Sequence, residues 1–160
     1  MNLFKLIILL GILVTHSFVG ISKGIGETEI TTDDGIEVFQ DERYYLLKKN
    51  VKIVSDDFEI TSDMVKAKFE LDLYDITALE TKGNSSLNAI KYGVTGKGNE
   101  IDINIKLEEI TVRGNGSILN LQETKMSSDG LIKVNNSSGT FELNGPNSNL
   151  QNDNLDMHGE

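Results

Sequence analysis

Beyond about residue 25, apolar and polar residues alternate with period two. The cleanest run is Ile101-Asp102-Ile103-Asn104-Ile105-Lys106, where three isoleucines face one way and three polar groups the other. Helical spacing is hard to find in the same stretch. Similar strand-sized runs fall at 45–47, 51–54, 58–61, 64–69, 76–79, 110–113, 117–121, 131–134 and 140–143. Between them lie Lys49-Asn50, Gly83-Asn84, Gly98-Asn99, Gly114-Asn115-Gly116 and Asn144-Gly145-Pro146, residue types that tolerate positive φ or fix a turn. The pattern predicts an all-β protein of many short strands joined by tight turns.

These turns are spaced regularly, since Asn50, Asn84, Asn115 and Gly145 are 34, 31 and 30 residues apart. Two units match further. Asn50-Val51-Lys52-Ile53 followed by Ser62-Asp63-Met64-Val65-Lys66 is answered by Asn115-Gly116-Ser117-Ile118 followed by Ser128-Asp129-Gly130-Leu131-Ile132-Lys133. A fixed period of this length signals stacked repeats, in which no unit buries its own apolar face and neighbours must cover one another. Alternation assigns Val51, Ile53, Phe58, Ile60, Val65, Ile76, Leu79, Ile101, Ile103, Ile105, Ile110, Val112, Ile118, Phe141 and Leu143 to the inward face. Core packing is the simplest role for any one of them. Met64 and Met126 are expected to fill gaps, and would adapt to guests of varied shape if they point inward.

The first 24 residues break the pattern. Lys5 is followed by an unbroken apolar run from Leu6 to Val14 and then by small residues, the layout of an export signal cleaved near Ser22 to Gly24. An uncleaved anchor is the alternative, because the apolar stretch from Leu3 to Ile21 approaches the roughly 17–25 residues that span a bilayer. The rest divides into one domain at 25–143 and a polar segment at 144–160, a terminal strand or a disordered tail.

Composition narrows the function. The leader takes Lys5 and Lys23 out of 15 basic residues, leaving 13 against 25 acidic ones, a net charge near −12 that opposes nucleic acid and anionic membranes. Cysteine is absent, and the two histidines, His16 and His158, lie outside the strand-forming region, so neither a thiolate metal site nor a His-based triad can be assembled there. Asp33-Asp34-Gly35 and Asp56-Asp57 lack the spacing of a calcium loop and read as turns. No cofactor, metal or enzymatic activity is expected.

Lys49-Asn50-Val51-Lys52-Ile53, then Ile60-Thr61-Ser62-Asp63-Met64-Val65, and later Ile110-Thr111-Val112-Arg113-Gly114-Asn115-Gly116 resemble the turn-strand motifs of the OstA-like domain in the LptA family of lipopolysaccharide-transport proteins. Lys49 stands where that family has glycine and Ser62 where it has alanine. The likeness spans about Glu27 to Leu143.

The resemblance implies a V-shaped, slightly open β-jelly roll of stacked antiparallel strands, located in the bacterial periplasm and active in outer-membrane biogenesis. It also implies binding of lipopolysaccharide through its lipid A acyl chains, and assembly end to end with itself and with related domains of the inner-membrane export complex and the outer-membrane translocon. Under that reading the inward set lines the lipid groove. With 6 Phe, 4 Tyr and no Trp the interior is slim and aliphatic, and each buried CH₂ of an acyl chain contributes about 0.8 kcal/mol. Lys91, Lys97, Lys106 and Arg113 are candidates for lipid phosphates, and the edges at 28–31 and 140–143 for docking. A membrane-anchored partner with the same domain, or a β-solenoid surface protein that binds no lipid, remain as alternatives.

Overall fold

Alternation in the sequence becomes alternation in burial. In β8 (Glu100–Asn104) Ile101 and Ile103 are buried between half-exposed Glu100, Asp102 and Asn104. The computed structural model describes residues 29–71 and 75–152, so the predicted export signal lies outside the described residues. The described chain is all-β, with a single 3-10 turn at Ile90–Tyr92.

The strands form one antiparallel sheet folded on itself. In order they are β1 (Glu29–Thr31), β2 (Ile36–Phe39), β3 (Tyr44–Val54), β4 (Glu59–Phe69), β5 (Ile76–Lys82), β6 (Ser85–Ala89), β7 (Val94–Gly98), β8, β9 (Glu109–Arg113), β10 (Ser117–Leu121), β11 (Thr124–Ser128), β12 (Leu131–Asn135), β13 (Thr140–Asn144) and β14 (Asn149–Asn152). The fold line crosses the long β3–β4 hairpin. β4 pairs with β5 through its second half and with β6 through its first, while β3 pairs with β2 before the line and β1 after it. One arm therefore runs β2-β3-β4-β5-β8-β9-β12-β13 and the other β1-β3-β4-β6-β7-β10-β11-β14. Their inner faces meet, β7 against β8 and β9, β10 against β9 and β12.

From β6 onward the chain lays two strands on one arm and then two on the other. Each change of arm is a corner, at 83–84, 98–99, 114–116, 129–130 and 145–146. A full layer thus takes about 31 residues, which is the period seen in the sequence. Lys49-Asn50 differs from the expected turn. Both residues have positive φ (61° and 48°), but the chain does not reverse there; a bulge bends β3 across the fold line.

The corners are stitched by main-chain bonds, with Asp63 N–H donating to Gly83 O (2.8 Å), Gly83 to Asn99 (2.7 Å), Asn99 to Arg113 (2.8 Å) and Gly114 to Gly130 (2.9 Å). Buried serines complete this seam. Ser62 Oγ reaches Lys82 O and Gly83 O (both 3.1 Å), Ser85 Oγ reaches Asn99 O (3.1 Å), Ser117 Oγ reaches Gly114 O (2.7 Å) and Ser128 Oγ reaches Asn144 O (3.0 Å). Each hydroxyl adds a bond to a carbonyl at or beside a corner, Gly83 O and Asn99 O accepting both a serine and a main-chain N–H.

The same serines set the taper of the interior. Beside the corners the second arm presents Ser62, Ser85, Gly98, Ser117 and Ser128, and one step further out it presents Ile60, Leu87, Leu119 and Met126, with Gly96 of β7 the exception, flanked by Leu87 and Leu119. Small residues let the arms approach at the seam, and larger ones hold them apart beyond it. The result is a jelly roll with a closed side at the corners, a mouth lined by hairpin turns on the opposite side, and a free pair of strands at either end of the stack.

Candidate functional site

The inward face is the candidate site, and most of the expected residues line it. Val51, Ile60, Val65, Leu79, Ile101, Ile110 and Val112 are at most 2% exposed, with Ile53, Phe58 and Ile103 close behind. They fill the space between the arms by packing on one another. Ile76, Ile105 and Leu143 are partly buried at its margin.

Two members of the set are placed differently. Ile118 lies on the outer face of β10, because Ser117 and Leu119 take the inward positions on either side of it. The inward phase of this strand starts on a serine, since only a small hydroxyl fits the seam. Phe141 keeps the inward phase, opposite Val134, yet is 53% exposed because no strand among the described residues lies beyond β13. Met126 is inward and buried, whereas Met64 lies on the outer face between exposed Asp63 and buried Val65. Sequence reasoning missed Tyr45, Leu47, Leu87, Val94, Leu119 and Ile132 in the core, and Leu121 and Val134 at the margin. The alternation of Ser85-Leu87-Ala89 and Ser117-Leu119-Leu121 carries that signal once serine is allowed inside.

Among the described residues, the exposed large hydrophobic side chains fall into three places. Ile36 (46%) and Val38 (47%) sit on β2 opposite buried Leu47 and Tyr45, so they continue the inward face past the first end of the stack. Phe141 (53%) and Leu150 (45%), the latter opposite buried Met126, continue it past the other end. Leu71, Ile90 and Leu107 stand on hairpin tips at the mouth. Among the described residues both ends also present strands with one unpaired edge, β1 and β2 at one and β13 and β14 at the other. Of the edges expected at 28–31 and 140–143, residues 29–31 and 140–143 therefore lie on such edges, each with a second strand at the same end.

The charged candidates separate by location. Lys91 and Lys106 flank the mouth on opposite arms, Lys91 bonded to Asp57 and Lys106 to Glu70 (2.6 Å). The hydrogen bond to Asp57 and its negative charge hold the Lys91 ammonium above its ordinary pKa, and burial together with the Asp57 bond raises Tyr92. Arg113, paired with Asp102, and exposed Lys97 lie on the outer faces of the two arms, away from the mouth. A cavity of about 520 Å³ on the outer face of the first arm is lined by Lys68, Glu80, Asp102 and Arg113, whose charges are paired with one another, so its chemistry does not suit an acyl chain. Asp33 accepts from Asn50 (2.6 Å) and Asp34 pairs with Lys49 (2.9 Å), which makes these carboxylates corner fastenings.

No family model and no curated protein matches the sequence. Among solved structures the chain is similar to the crystal structure of LptH, the LptA homologous periplasmic component of the conserved lipopolysaccharide transport device from Pseudomonas aeruginosa. The TM-score is 0.61 at 8% identity, covering 78% of this chain and 94% of that one. At that identity the likeness establishes the fold, an LptA-like jelly roll.

Proposed function

We propose that this protein carries lipopolysaccharide through the periplasm, with acyl chains against its inward face, and that copies of the stack join end to end with one another and with related domains at the two membranes. The observation that carries the reading is the state of the two ends. Each combines strand edges that pair with no other strand among the described residues with inward-phase aliphatic or aromatic side chains 45–53% exposed. Isolated soluble domains blunt or cover such edges. A second stack docked there by β-augmentation would pair the free N–H and C=O groups and would join the two interiors into one apolar surface.

The packing also narrows the lipid-contacting set. Residues such as Val65, Ile110 and Val112 have no free surface, so acyl chains meet first the margin, Ile76, Ile105, Leu121 and Val134, and the ends, Phe141 and Leu143. Deeper contact requires the arms to part. Photo-crosslinkers placed in cells at Ile105, Phe141 and Ile118 test this. Lipopolysaccharide adducts are expected at Ile105 and Phe141 and not at Ile118; adducts at none of the three, or equally at Ile118, would remove the carrier reading.

A further inference from the structure

A single exposed aliphatic residue is ordinary on a soluble protein. The placement of the three at the mouth is not, because they share one side of the molecule and each lies beside groups fixed by a hydrogen bond or an ion pair. Leu71 (86% exposed) and Leu107 (55%) are on neighbouring hairpin tips of the first arm, tied by Lys106–Glu70 (2.6 Å). Leu107 N–H donates to Asn104 Oδ1 (3.0 Å), and Asn135 Nδ2 donates to Leu107 O (3.1 Å). Ile90 (73%) stands across the mouth on the second arm, in the 3-10 turn closed by Gly93 N–H to Ile90 O (2.8 Å). The rim tips nearer the far end of the stack, at 122–123 and 136–138, carry Gln, Glu, Asn and Ser.

We infer that the mouth rim docks on the surface of a lipid bilayer, with Leu71, Ile90 and Leu107 entering the headgroup region. This inference rests on the carrier reading and names the surface from which the mouth takes up or delivers lipid. Three separate protruding tips suit a deformable lipid interface, since the apolar area at each is too small and too dispersed for a protein partner to cover.

Charge selects the kind of bilayer. Lys91 and Lys106, the cations beside two of the tips, are each neutralised by a carboxylate. Exposed Arg43 on the adjoining 40–43 tip donates to Glu70 O (3.0 Å) and follows exposed Asp41 and Glu42, and the chain as a whole has a formal charge of −10. Anionic lipid is therefore repelled, and insertion into a zwitterionic surface rests on the apolar tips. Behind them stand partly buried Tyr92 and Ile105, one on each arm, which connect the rim to the inward face. An acyl chain leaving the bilayer at this rim would stay in apolar contact along the way.

The sequence contains no tryptophan, so one introduced indole reports a single position. Ile90→Trp, Leu107→Trp and Ser137→Trp are each titrated with vesicles of phosphatidylcholine and phosphatidylethanolamine free of lipopolysaccharide. Emission at the first two is expected to move to the blue and to be quenched by lipids brominated on their acyl chains, with Ser137→Trp unchanged. The double variant I90N/L107N should bind vesicles about tenfold more weakly, and phosphatidylglycerol should weaken binding at low salt. No spectral change at saturating lipid, an equal change at Ser137→Trp, or binding only when phosphatidylglycerol is present would each overturn the inference. Crosslinking from Ile105 and Phe141 to lipopolysaccharide is read without vesicles, so the carrier reading and the docking inference fail separately.

Discussion

Gly114 carries φ +118° at a corner, and a Cβ there would lie 2.7 Å from Asn99 Cβ in the neighbouring crossing. Gly35 also has positive φ (+81°) but nothing within 4 Å. The pair separates backbone strain from close approach. Gly35→Ala is expected to cost about 1–2 kcal/mol, the penalty of an L side chain in the left-handed region. Gly114→Ala should cost more, because seam strands must also move apart, and urea unfolding of the two variants checks the order. The seam has an electrostatic part as well. Asn147 and the Gly116 N–H donate to Asp129, which lowers its pKa below the ordinary value, and Asn84 donates to Asp63 (2.9 Å) at the equivalent place two layers earlier. A depressed carboxylate stabilises the fold above its unfolded pKa, and that contribution is lost as pH falls through the folded value. Wild type should therefore melt above Asp129→Asn at neutral pH. The gap should narrow once pH falls below about 4; a gap unchanged in acid would sink the assignment.

The strands show how far a sequence of this kind can be read. Ile101-Asp102-Ile103-Asn104 states its phase openly, and the Ser62-Asp63 and Ser128-Asp129 correspondence found in the sequence is a real equivalence. In both copies the serine caps a carbonyl across the corner and the aspartate receives an asparagine amide. β10 was misread because hydrophobicity was taken as the mark of the interior. Ser117 is fully buried and Ile118 is not, since the seam admits only a small residue and offers the hydroxyl a carbonyl at 2.7 Å. Lys49-Asn50 was misread for a related reason, because positive φ marks a bulge as readily as a turn. The edge strands could be named in advance, while the mouth could not, since Leu71, Ile90 and Leu107 share one side only once hairpins far apart in the sequence are stacked. The phase of β10 is checked by substitution. Leu119→Ala should destabilise by about 2–5 kcal/mol, as expected for a truncated core side chain, and Ile118→Ser by less than about 1 kcal/mol. Comparable losses at the two positions would contradict the placement.

For the whole molecule the decisive feature is that its two ends differ. The β1–β2 end carries Ile36 and Val38 and the β13–β14 end carries Phe141 and Leu150, so in the proposed end-to-end assembly a junction would join one kind of end to the other. Such a contact would be heterologous, and unless its rotation closed a ring it would propagate into chains of no fixed length. Breaking either end would then stop growth without unfolding the protein, since these side chains are about half exposed in the isolated stack. Val38→Glu alone and Phe141→Glu alone should each run as monomers at concentrations where wild type forms a ladder of species, with melting temperatures close to wild type. Mixing the two variants supplies the stronger test. Val38→Glu retains an intact β13–β14 end and Phe141→Glu an intact β1–β2 end, so one of each can join, and the product has a disabled end on both outer sides. The mixture should yield a dimer and nothing larger by sedimentation velocity. Homodimers of either variant alone would show that like ends meet, and larger species in the mixture would show that contacts outside these strands hold the copies together.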